Sequence, residues 1–503
     1  MGRAAEWRER WRHIDPLAPL VGVTALTVYA LHGLDGHLPR DLGIYAYGGQ
    51  QVANGVPPYV GILNRVGPLG HLLPGLGVVG ARVGGFDDMR GIQLLYLIIS
   101  VACVCLVYVV GRELFASRLA GLAATAAFLS FFGFIHVAST GPRDKTPMVL
   151  FVLCVLLAVV RQRWFVAGLF VGLATLTWQP AFFVAVTAAV VAPLALRPAA
   201  ALIRALVAVV AGGLVTVLVC VAYFAAAGAL REFIDAFLLI SARYAHATRP
   251  TSDPEIWTHL HKAYGDFVWV IAVGLAAMLI VAGMALVLKG RRQDPMRMFI
   301  IAVGTASVVG LVWSSQVLNN WPDVFVLLPL AALGIGGIAK ELSTRVSARV
   351  ALPLTLAWVV VGVAAAGHYS VSTREDGLDD QRESVQAVIA ALPPGASILS
   401  IEAPQPLVLS GRTNPSRHQI FVGPLGRYIE DTWPGGLRGY AAWIGREQTT
   451  VVALQRGPVP EWLTETLRTQ YARVGAAPGW QWYLHRSVAE SIRSQLRRDL
   501  APY

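Results

Sequence analysis

The chain has 503 residues, a mean hydropathy of +0.57 and only 14% charged residues. Soluble proteins carry about a quarter charged residues, so this composition excludes an ordinary soluble protein and indicates an integral membrane protein. The net charge of +11 does not indicate nucleic-acid binding, because lysine and arginine are concentrated at the amino terminus and in alternate connections between apolar stretches.

Eleven uncharged apolar stretches are candidate membrane spans. Most approach the ~20 residues that a bilayer-spanning helix needs, although the fourth, fifth, sixth and tenth are short. We therefore predict a polytopic α-helical membrane protein with about 11 transmembrane helices. The stretches are Leu17–Leu34, Ile92–Val110, Leu119–Val137, Thr146–Val160, Trp164–Trp178, Pro180–Leu196, Ala205–Leu230, Phe267–Leu288, Met298–Leu318, Val324–Ala339 and Val350–Gly367.

The basic residues predict the orientation of the chain. Short connections rich in lysine and arginine face the cytoplasm, and every second connection here is basic. We therefore expect a multi-pass protein of the bacterial cell (inner) membrane, with a cytoplasmic amino terminus and with 35–91, 231–266 and all residues after 367 outside. No cleavage site follows the first stretch, so we expect a retained span rather than a signal peptide. The basic connections hold Arg112 and Arg118, Arg161 and Arg163, Arg197 and Arg204, Lys289 to Arg297, and Lys340 to Arg349.

The first outer segment contains two stretches that we expect to lie as helices on the membrane surface, Ile44–Ala53 and Gly67–Val83. Asp41 precedes them, at the mouth of the first span. A charge beside a span is costly and is therefore a functional candidate, and nearby Tyr45 is suited to contact a sugar or a lipid headgroup. The alternative is that Asp41 caps a helix that starts near Gly43.

The stretch LNRVGPLGHLL in the same segment adds Arg65 and His71. Arg65 is a candidate phosphate ligand, and the alternative is an arginine that extends to lipid headgroups. His71 is a candidate substrate contact, but a single histidine among apolar residues is more commonly a packed side chain or a hydrogen-bond donor.

The stretch STGPRDKTPMVLF, residues 139–151, places Arg143, Asp144 and Lys145 at the outer start of the fourth span. Two cations at this position are suited to bind a lipid-linked phosphate, and the carboxylate between them would orient them. The alternative is a charged, solvated loop followed by a helix that starts at Pro147.

Two further outer positions are weaker candidates. An amphipathic piece of 231–266 leads into a predicted polar loop that holds Arg243, Tyr244, His246, His259 and His261. Gln179 lies in the predicted outer turn between the fifth and sixth spans, where a tryptophan of the aromatic belt and a helix-starting proline are the alternative interpretation.

After residue 369 the composition becomes that of a soluble protein. We therefore predict a transmembrane domain, residues 1–369, and an extracytoplasmic α/β domain, residues 370–503. Helix-like ESVQAVIAAL and VPEWLTETLRTQY alternate with strand-like ASILSIEA, TTVVALQ and WQWYLHRSV. Such a segment is long enough for a modest core of its own.

The sequence lacks the motifs of several known kinds of chemistry. The sequence has no GxxxxGK[ST], no GxGxxG after a strand and no HExxH, and the middles of the seventh to ninth spans carry no charge. An ATP-driven or ion-coupled transporter is therefore disfavoured. The four cysteines have neither disulfide nor metal spacing. His259 and His261 have no partner at ligand spacing, so we predict no divalent metal and no other cofactor.

The stretch RDLGIYAYGGQQVANGVPPYVGILNRVGPLGHLLPGL resembles the first outer loop of membrane glycosyltransferases of the GT-C fold. The nearest group is the bacterial relatives of dolichyl-phosphate-mannose protein mannosyltransferases and lipid A aminoarabinose transferases. In that family an acid precedes a tyrosine-rich helix, then GG.PY and GPL or PPL. The resemblance continues in the family's order, from about residue 38 to 485, at GPRDKTPMVLFVLCVLLAV, LATLTWQPAFF, NNWPDVFVLLPLAALG and LPPGASILSIEAPQPLVLSGRTNPSRH.

The resemblance implies an inverting transfer, in which an acceptor nucleophile attacks the anomeric carbon of a polyprenyl-phosphate sugar. It matches Asp41 to the family's general base, while Arg143 and Asp144 fall in a second charged stretch of the family. An acid at the outer mouth would take the proton, and cations would stabilise the charge on the departing phosphate.

The chain departs from the family pattern at two places. Where the family usually has Asp and Lys before GPL, this chain has Asn64, Arg65 and Val66, so Arg65 would have to replace the lysine. Where the family often has PHY before the tenth span, this chain has Pro322, Asp323 and Val324.

We therefore predict a polyprenyl-phosphate-sugar-dependent inverting glycosyltransferase that acts on the outer side, with a glycan, lipid or protein as acceptor, in contact with membrane lipids but not nucleic acid. Asp41 would be the general base and Asp144 a supporting catalytic acid. Alternatives on the same scaffold are a non-catalytic protein that binds or transports lipid-linked glycans, and an inactive structural partner of another transferase. The predicted substrate-binding residues are Arg65, Arg143, Lys145, Tyr45, His71, Arg243, Tyr244 and Gln179.

Overall fold

The computed structural model describes residues 15–244, 254–287, 295–318 and 320–501. The predicted apolar stretches fall on helices, because backbone that is shielded from water must satisfy its hydrogen bonds within its own segment. The helices of this part are α1 (Leu17–His32), α2 (Arg40–Ala53), α3 (Leu69–Gly84), α4 (Asp88–Leu114), α5 (Arg118–Leu129), α6 (Phe132–Ala138), α7 (Lys145–Val160), α8 (Trp164–Thr177), α9 (Ala181–Val191), α10 (Ala199–Ala226), α11 (Leu230–Phe233), α12 (Ile240–Tyr244), α13 (Pro254–Tyr264), α14 (Val268–Val287), α15 (Pro295–Val317), α16 (Leu328–Arg345) and α17 (Ala348–Ser372). Shorter 3-10 and π-helical turns join several of them, at Ala192–Ala195, Ile234–Leu239, Gly265–Phe267 and Trp321–Val326.

The chain is a multi-pass membrane protein. Among the described residues, five helical stretches are long and apolar enough to cross a membrane, and a sixth is the pair α5–α6 if its bend of 72° lies within one span. The apolar helices α1, α7, α8 and α9 are shorter: a helix of 14 residues rises only about 21 Å, less than the bilayer's hydrocarbon thickness of about 30 Å. Helix length and composition therefore do not confirm the predicted number of 11 membrane-spanning helices. The five stretches are Asp88–Leu114, Ala199–Ala226, Glu255–Val287, Met296–Val317 and Ala348–Ala391.

The first outer segment forms the helices α2 and α3, which cross each other at two adjacent glycines. A Cβ atom on Gly48 would lie 2.7 Å from Cδ2 of His71, and one on Gly49 would lie 2.6 Å from Cβ of Pro74. Any larger residue at these two positions would force the helices apart. Pro74 itself lies inside α3, so the prolines and glycines of this segment are compatible with a helix here.

The segment 231–266 differs from its prediction. Its second half is the helix α13, which carries His259 and His261, rather than a polar loop. Ile256, Leu260 and Tyr264 recur four residues apart and are buried, which is the pattern of an amphipathic helix. His246 lies outside the described residues.

The carboxy-terminal part is an α/β domain, as predicted. Its four strands have the order β1-β2-β4-β3, in which β1 and β2 are parallel and β4 is antiparallel to both of its neighbours. The sequence pattern did not indicate β3, an edge strand whose residues YARVGAA alternate weakly and include Gly475 at a register shift. The elements are α18 (Gly377–Ala391), β1 (Ile398–Ile401), α19 (Gln405–Ser410), α20 (Gly423–Thr432), α21 (Gly436–Glu447), β2 (Val451–Gln455), α22 (Glu461–Gln470), β3 (Tyr471–Ala477), β4 (Trp480–His485) and α23 (Glu490–Asp499).

The α/β domain and the first outer segment share one hydrophobic core. Leu38 and Leu42 belong to the same buried cluster as Leu407 and Trp480. Gln381 of α18 also accepts a hydrogen bond from the backbone N–H of Leu38 at 2.9 Å and donates to its carbonyl oxygen at 3.1 Å. The domain is thereby fixed against the start of α2, where Asp41 lies.

Candidate active site

Asp41 is the second residue of α2. The helix begins at Arg40, its N-cap is Pro39, and no side chain caps it. The alternative interpretation of Asp41 as the cap of a helix near Gly43 is therefore wrong. Its carboxylate still benefits from the positive end of the helix dipole, but its oxygen atoms bind side chains instead of capping the backbone.

Two arginines bracket the Asp41 carboxylate. Arg40 donates from Nε and Nη2 to Oδ1 at 3.3 and 3.2 Å, and Arg143 donates from Nη1 to Oδ2 at 3.2 Å. Burial alone would raise the pKa of Asp41, but the charges and hydrogen bonds of Arg143 and Arg40 outweigh this effect and lower the pKa below its ordinary value. Asp41 is therefore ionised at neutral pH, and its side chain is 41% exposed, so that a substrate can reach it.

A buried layer of charges lies behind Arg143. Oδ1 of Asp144 is 3.7 Å from Nε of Arg143 and 3.7 Å from Nζ of Lys145. The same Nζ is 3.2 Å from Oδ1 of Asp323 and 5.1 Å from the centroid of the Trp178 ring. The side chains of Asp144 and Lys145 are only 3% and 8% exposed, so Asp144 is placed to orient Arg143, and Lys145 is placed to pair with Asp144 and Asp323.

Tyr45 belongs to this buried layer. It lies one helical turn after Asp41. Burial, and to a smaller extent the negative charge of Asp144, raise the pKa of the Tyr45 hydroxyl well above its ordinary value. The hydroxyl therefore stays protonated and supports Asp144 from the side of α2.

The α/β domain contacts the other side of Arg40. Nη1 of Arg40 donates to Oε2 of Glu402 at 2.8 Å and to Oε1 of Gln455 at 3.5 Å. Glu402 directly follows β1 and Gln455 ends β2, and these parallel strands pair Ile401 with Leu454. The carboxyl ends of two parallel strands therefore meet the first turn of α2.

A cavity of about 430 Å³ lies beside Asp41. Its volume is in the range of small-molecule sites, about 300–1,000 Å³. Arg40, Asp41, Arg143 and Glu375 supply charged groups to its lining, which also has apolar, aromatic and polar side chains. The aromatic and polar side chains include His32, His37, His136, Asn320, Trp321 and Gln455.

Two predicted residues of the first outer segment lie away from this cavity. Arg65 is exposed, and its side chain forms no hydrogen bond or ion pair with the residues that the structure describes. His71 is fully buried between α2 and α3, with its ring centroid 5.7 Å from that of Tyr59 and both ring nitrogens without a partner among the described residues. Burial lowers the pKa of His71 to about 4, so the imidazole is neutral.

Three further predicted residues lie elsewhere: Tyr244 and Gln179 form hydrogen bonds, and Arg243 is exposed. The carbonyl oxygen of Tyr244 accepts a hydrogen bond from Nη2 of Arg427 at 2.7 Å, next to an exposed Arg243. Gln179 donates from Nε2 to the carbonyl oxygen of Phe237 at 2.8 Å. The cavity lining includes none of the three.

Sequence reasoning did not single out Arg40, Glu402 or the cavity histidines. For Arg40 a signal was present, because it stands next to Asp41. For Glu402 the only local signal is its position at the end of a strand in the stretch SILSIEA, since its contact with Arg40 joins residues 362 positions apart. Within the described part of the chain, no group of three or more His, Cys, Asp and Glu side chains is arranged to hold a metal ion.

The fold has solved counterparts. ArnT from Cupriavidus metallidurans bound to undecaprenyl phosphate matches with a TM-score of 0.62 and 14% identity, over 93% of this chain and 98% of its own. The oligosaccharyltransferase from Archaeoglobus fulgidus matches with a TM-score of 0.54 and 12% identity, over 94% of this chain and 74% of its own. The arabinofuranosyltransferase AftD from mycobacteria has a TM-score of 0.53 and 14% identity, over 93% of this chain but only 40% of its own.

These three proteins are GT-C glycosyltransferases, and the chain has the GT-C fold, as the resemblance of its sequence implied. At such low identity the likeness concerns the fold. No protein-family model matches the sequence, and no curated protein matches it significantly.

Proposed function

We propose that the protein is an inverting glycosyltransferase, which moves a sugar from a polyprenyl-phosphate donor to an acceptor on the extracytoplasmic side of the membrane. The observation that carries the proposal is the Asp41 carboxylate, accessible in a cavity and bracketed by Arg40 and Arg143 at 3.2 to 3.3 Å. The GT-C fold supports it, as does the undecaprenyl phosphate bound to ArnT, which shares that fold.

In the proposed reaction an acceptor hydroxyl attacks the anomeric carbon of the donor sugar. The bond from that carbon to the phosphate oxygen breaks, and polyprenyl phosphate departs with the bonding electrons. The carboxylate of Asp41 takes the proton of the attacking hydroxyl. Attack on the side opposite the phosphate inverts the anomeric configuration.

Arginine suits the departing phosphate, because a guanidinium group stays charged and has five N–H donors in a planar fork. Arg143 can keep Nη1 on Asp41 while another of its donors binds a phosphate oxygen. When a negatively charged phosphate binds Arg143, it offsets part of the positive charge that lowers the pKa of Asp41. The pKa of Asp41 therefore rises. Asp41 thus becomes a stronger base only once the donor is in place, which limits proton uptake in the empty site.

The test compares the wild-type protein with Asp41→Asn in a transfer assay. Bacterial membranes that contain either protein, together with the acceptors present in those membranes, are supplied with a panel of undecaprenyl-phosphate sugars that carry a radiolabel in the sugar, and the label moved to the acceptors is counted. Asparagine keeps the shape of the side chain but cannot accept the proton, so we expect transfer to slow by about 100-fold or more. Asp380→Asn, which removes an exposed carboxylate on α18, is the matched control and retains full transfer.

Binding separates the proposal from its alternative. Thermal stabilisation by undecaprenyl phosphate should be similar for wild type and Asp41→Asn, because Arg143 remains. Equal transfer rates of the two proteins would contradict the role of Asp41. A wild-type protein that binds undecaprenyl phosphate but transfers none of the sugars favours the non-catalytic binding protein.

A further inference from the structure

We infer that the α/β domain supplies a positioning residue to the candidate active site: Glu402, with Gln455 beside it, holds Arg40 so that its guanidinium group faces Asp41. The kinetic consequence of this inference rests on the proposed function. The contacts themselves do not.

The guanidinium group of Arg40 donates hydrogen bonds to two carboxylates. Nη1 of Arg40 donates to Glu402 at 2.8 Å, whereas Nε and Nη2 donate to Asp41 at 3.3 and 3.2 Å. Because the guanidinium group is planar and its donors are fixed, carboxylates on both sides of the fork set its orientation as well as its position. Arg40 in turn fixes Oδ1 of Asp41, while Arg143 binds Oδ2.

Glu402 is itself held firmly. Its side chain is 5% exposed, and its Oε1 accepts a hydrogen bond from the backbone N–H of Phe421. Its own backbone N–H donates to the carbonyl oxygen of Gln419 at 2.7 Å. A buried carboxylate needs a cationic partner, and Arg40 provides it.

The backbone at Glu402 is also unusual. Its φ is +56°, in the left-handed region that few residues other than glycine and asparagine adopt. Such conformations persist where the surroundings determine them and are concentrated at functional sites. Here the left-handed residue directly follows β1, and its side chain pairs with Arg40 of α2.

Gln455 extends the same contact into the cavity. It lies at the end of the neighbouring parallel strand, 3.5 Å from Nη1 of Arg40, and it belongs to the lining of the cavity. The carboxyl ends of parallel strands are common positions for ligand sites in α/β domains. The α/β domain is therefore a structural part of the site and not merely an attachment to the membrane helices.

A double-mutant cycle tests the inference. Glu402→Gln keeps the side-chain shape but removes the charge, and we expect kcat to fall by about 10- to 100-fold because Asp41 is misplaced. The donor KM stays within about threefold, because Arg143 still binds the phosphate. Arg40→Lys should behave alike, since a single ammonium group cannot join both carboxylates. The double variant should be no more than about threefold slower than the slower single variant.

The control is Glu447→Gln, which removes an exposed carboxylate at the end of α21 and should match the wild type. Three results would overturn the inference: a kcat of Glu402→Gln close to that of the wild type, independent losses that multiply in the double variant, or a loss of kcat that follows the amount of folded protein in size-exclusion chromatography.

Hydrogen–deuterium exchange measures the same contact without turnover. Glu402→Gln, but not Glu447→Gln, should accelerate amide exchange at the start of residues 40–53. If the wild type transfers no sugar and this acceleration is seen, the proposed function fails while the positioning of Arg40 by Glu402 stands. Unchanged exchange overturns the positioning.

Discussion

Arg143 is the residue whose loss should cost the most, because it contacts both the accessible and the buried carboxylates of the site. Its side chain is 12% exposed and lies 3.2 Å from Asp41 and 3.7 Å from Asp144. Arg143→Gln keeps a side chain of similar reach with neutral donors, and Arg143→Lys keeps the charge without the planar fork. The two variants therefore separate charge from geometry.

The expected magnitudes follow from the exposure of the two carboxylates. Asp41 is accessible to water, so its pair with Arg143 contributes about 1 kcal/mol or less to stability. Asp144 is buried, and removing the partner of a buried charge costs about 3–5 kcal/mol. Lys145, at 3.7 Å from Asp144, remains as a second cation. We therefore expect Arg143→Gln to lower the free energy of unfolding by about 2–4 kcal/mol, and Arg143→Lys by less.

Arg143→Gln should also lower the transfer rate of the protein that remains folded. A charged donor that faces the developing negative charge of the phosphate contributes about 10²- to 10³-fold to kcat. We expect this loss for Arg143→Gln, and a smaller one for Arg143→Lys, in the transfer assay with undecaprenyl-phosphate sugars. The rates are normalised to the protein that remains monodisperse in size-exclusion chromatography, so that misfolding does not count as lost catalysis.

Arg161→Gln is the matched control. It also removes an arginine–carboxylate pair, with Glu113 at 2.6 Å, but Arg161 is half exposed and lies beyond the far end of α7 from Arg143. Its effect on stability should be at most about 1 kcal/mol and its effect on transfer negligible. A folded Arg143→Gln protein that transfers sugar within about threefold of the Arg161→Gln control would refute the role given to Arg143.

Two further predictions concern buried charges. Lys145→Met removes the cation from carboxylates at 3.2 and 3.7 Å, so we expect a loss of about 3–5 kcal/mol in stability, measured by heat denaturation in detergent. Asp15, before α1, accepts hydrogen bonds from Tyr108 and Arg112, and these contacts outweigh burial and lower its pKa to about 2. Since a lowered pKa gives stability that is present above the ordinary value and lost as pH falls through the lowered one, the melting-temperature difference between wild type and Asp15→Asn should be constant from pH 5 to 8 and shrink below about pH 4. A difference that does not shrink in acid would show that the charge of Asp15 is not what stabilises the protein.

The sequence predicted the parts of the fold that depend on local pattern. Apolar stretches marked the helices, because a helix in a membrane must be apolar along its length. Alternating residues marked β1, β2 and β4, whereas the residues of the edge strand β3, which pairs with β4, alternate only weakly. The helix α13 was predicted as a loop, since its polar face holds both histidines and its buried face consists of only three residues.

In the candidate site, too, the sequence predicted only the residues that carry a local signal. Asp41 and Arg143 could be singled out because a charge beside a membrane span is costly without a function. Their pairing across 102 positions could be expected only from their common side of the membrane, and the exact contacts could not. Lys145 looked equally suited to bind phosphate, and only its burial against Asp323 and Trp178 distinguishes it from Arg143.

The long-range pair of Arg40 and Glu402 also has a consequence for assembly. Arg40 lies after α1, whereas Glu402 lies after α17, so the two can meet only once the chain as far as β1 is present. Until then Arg40 has Asp41 as its neighbour but lacks the carboxylate that sets its orientation. The shared core of Leu38, Leu42, Leu407 and Trp480 stabilises the same junction. The contact that orients Arg40 in the proposed catalytic centre therefore depends on the α/β domain, although Arg40 itself lies near the start of the chain.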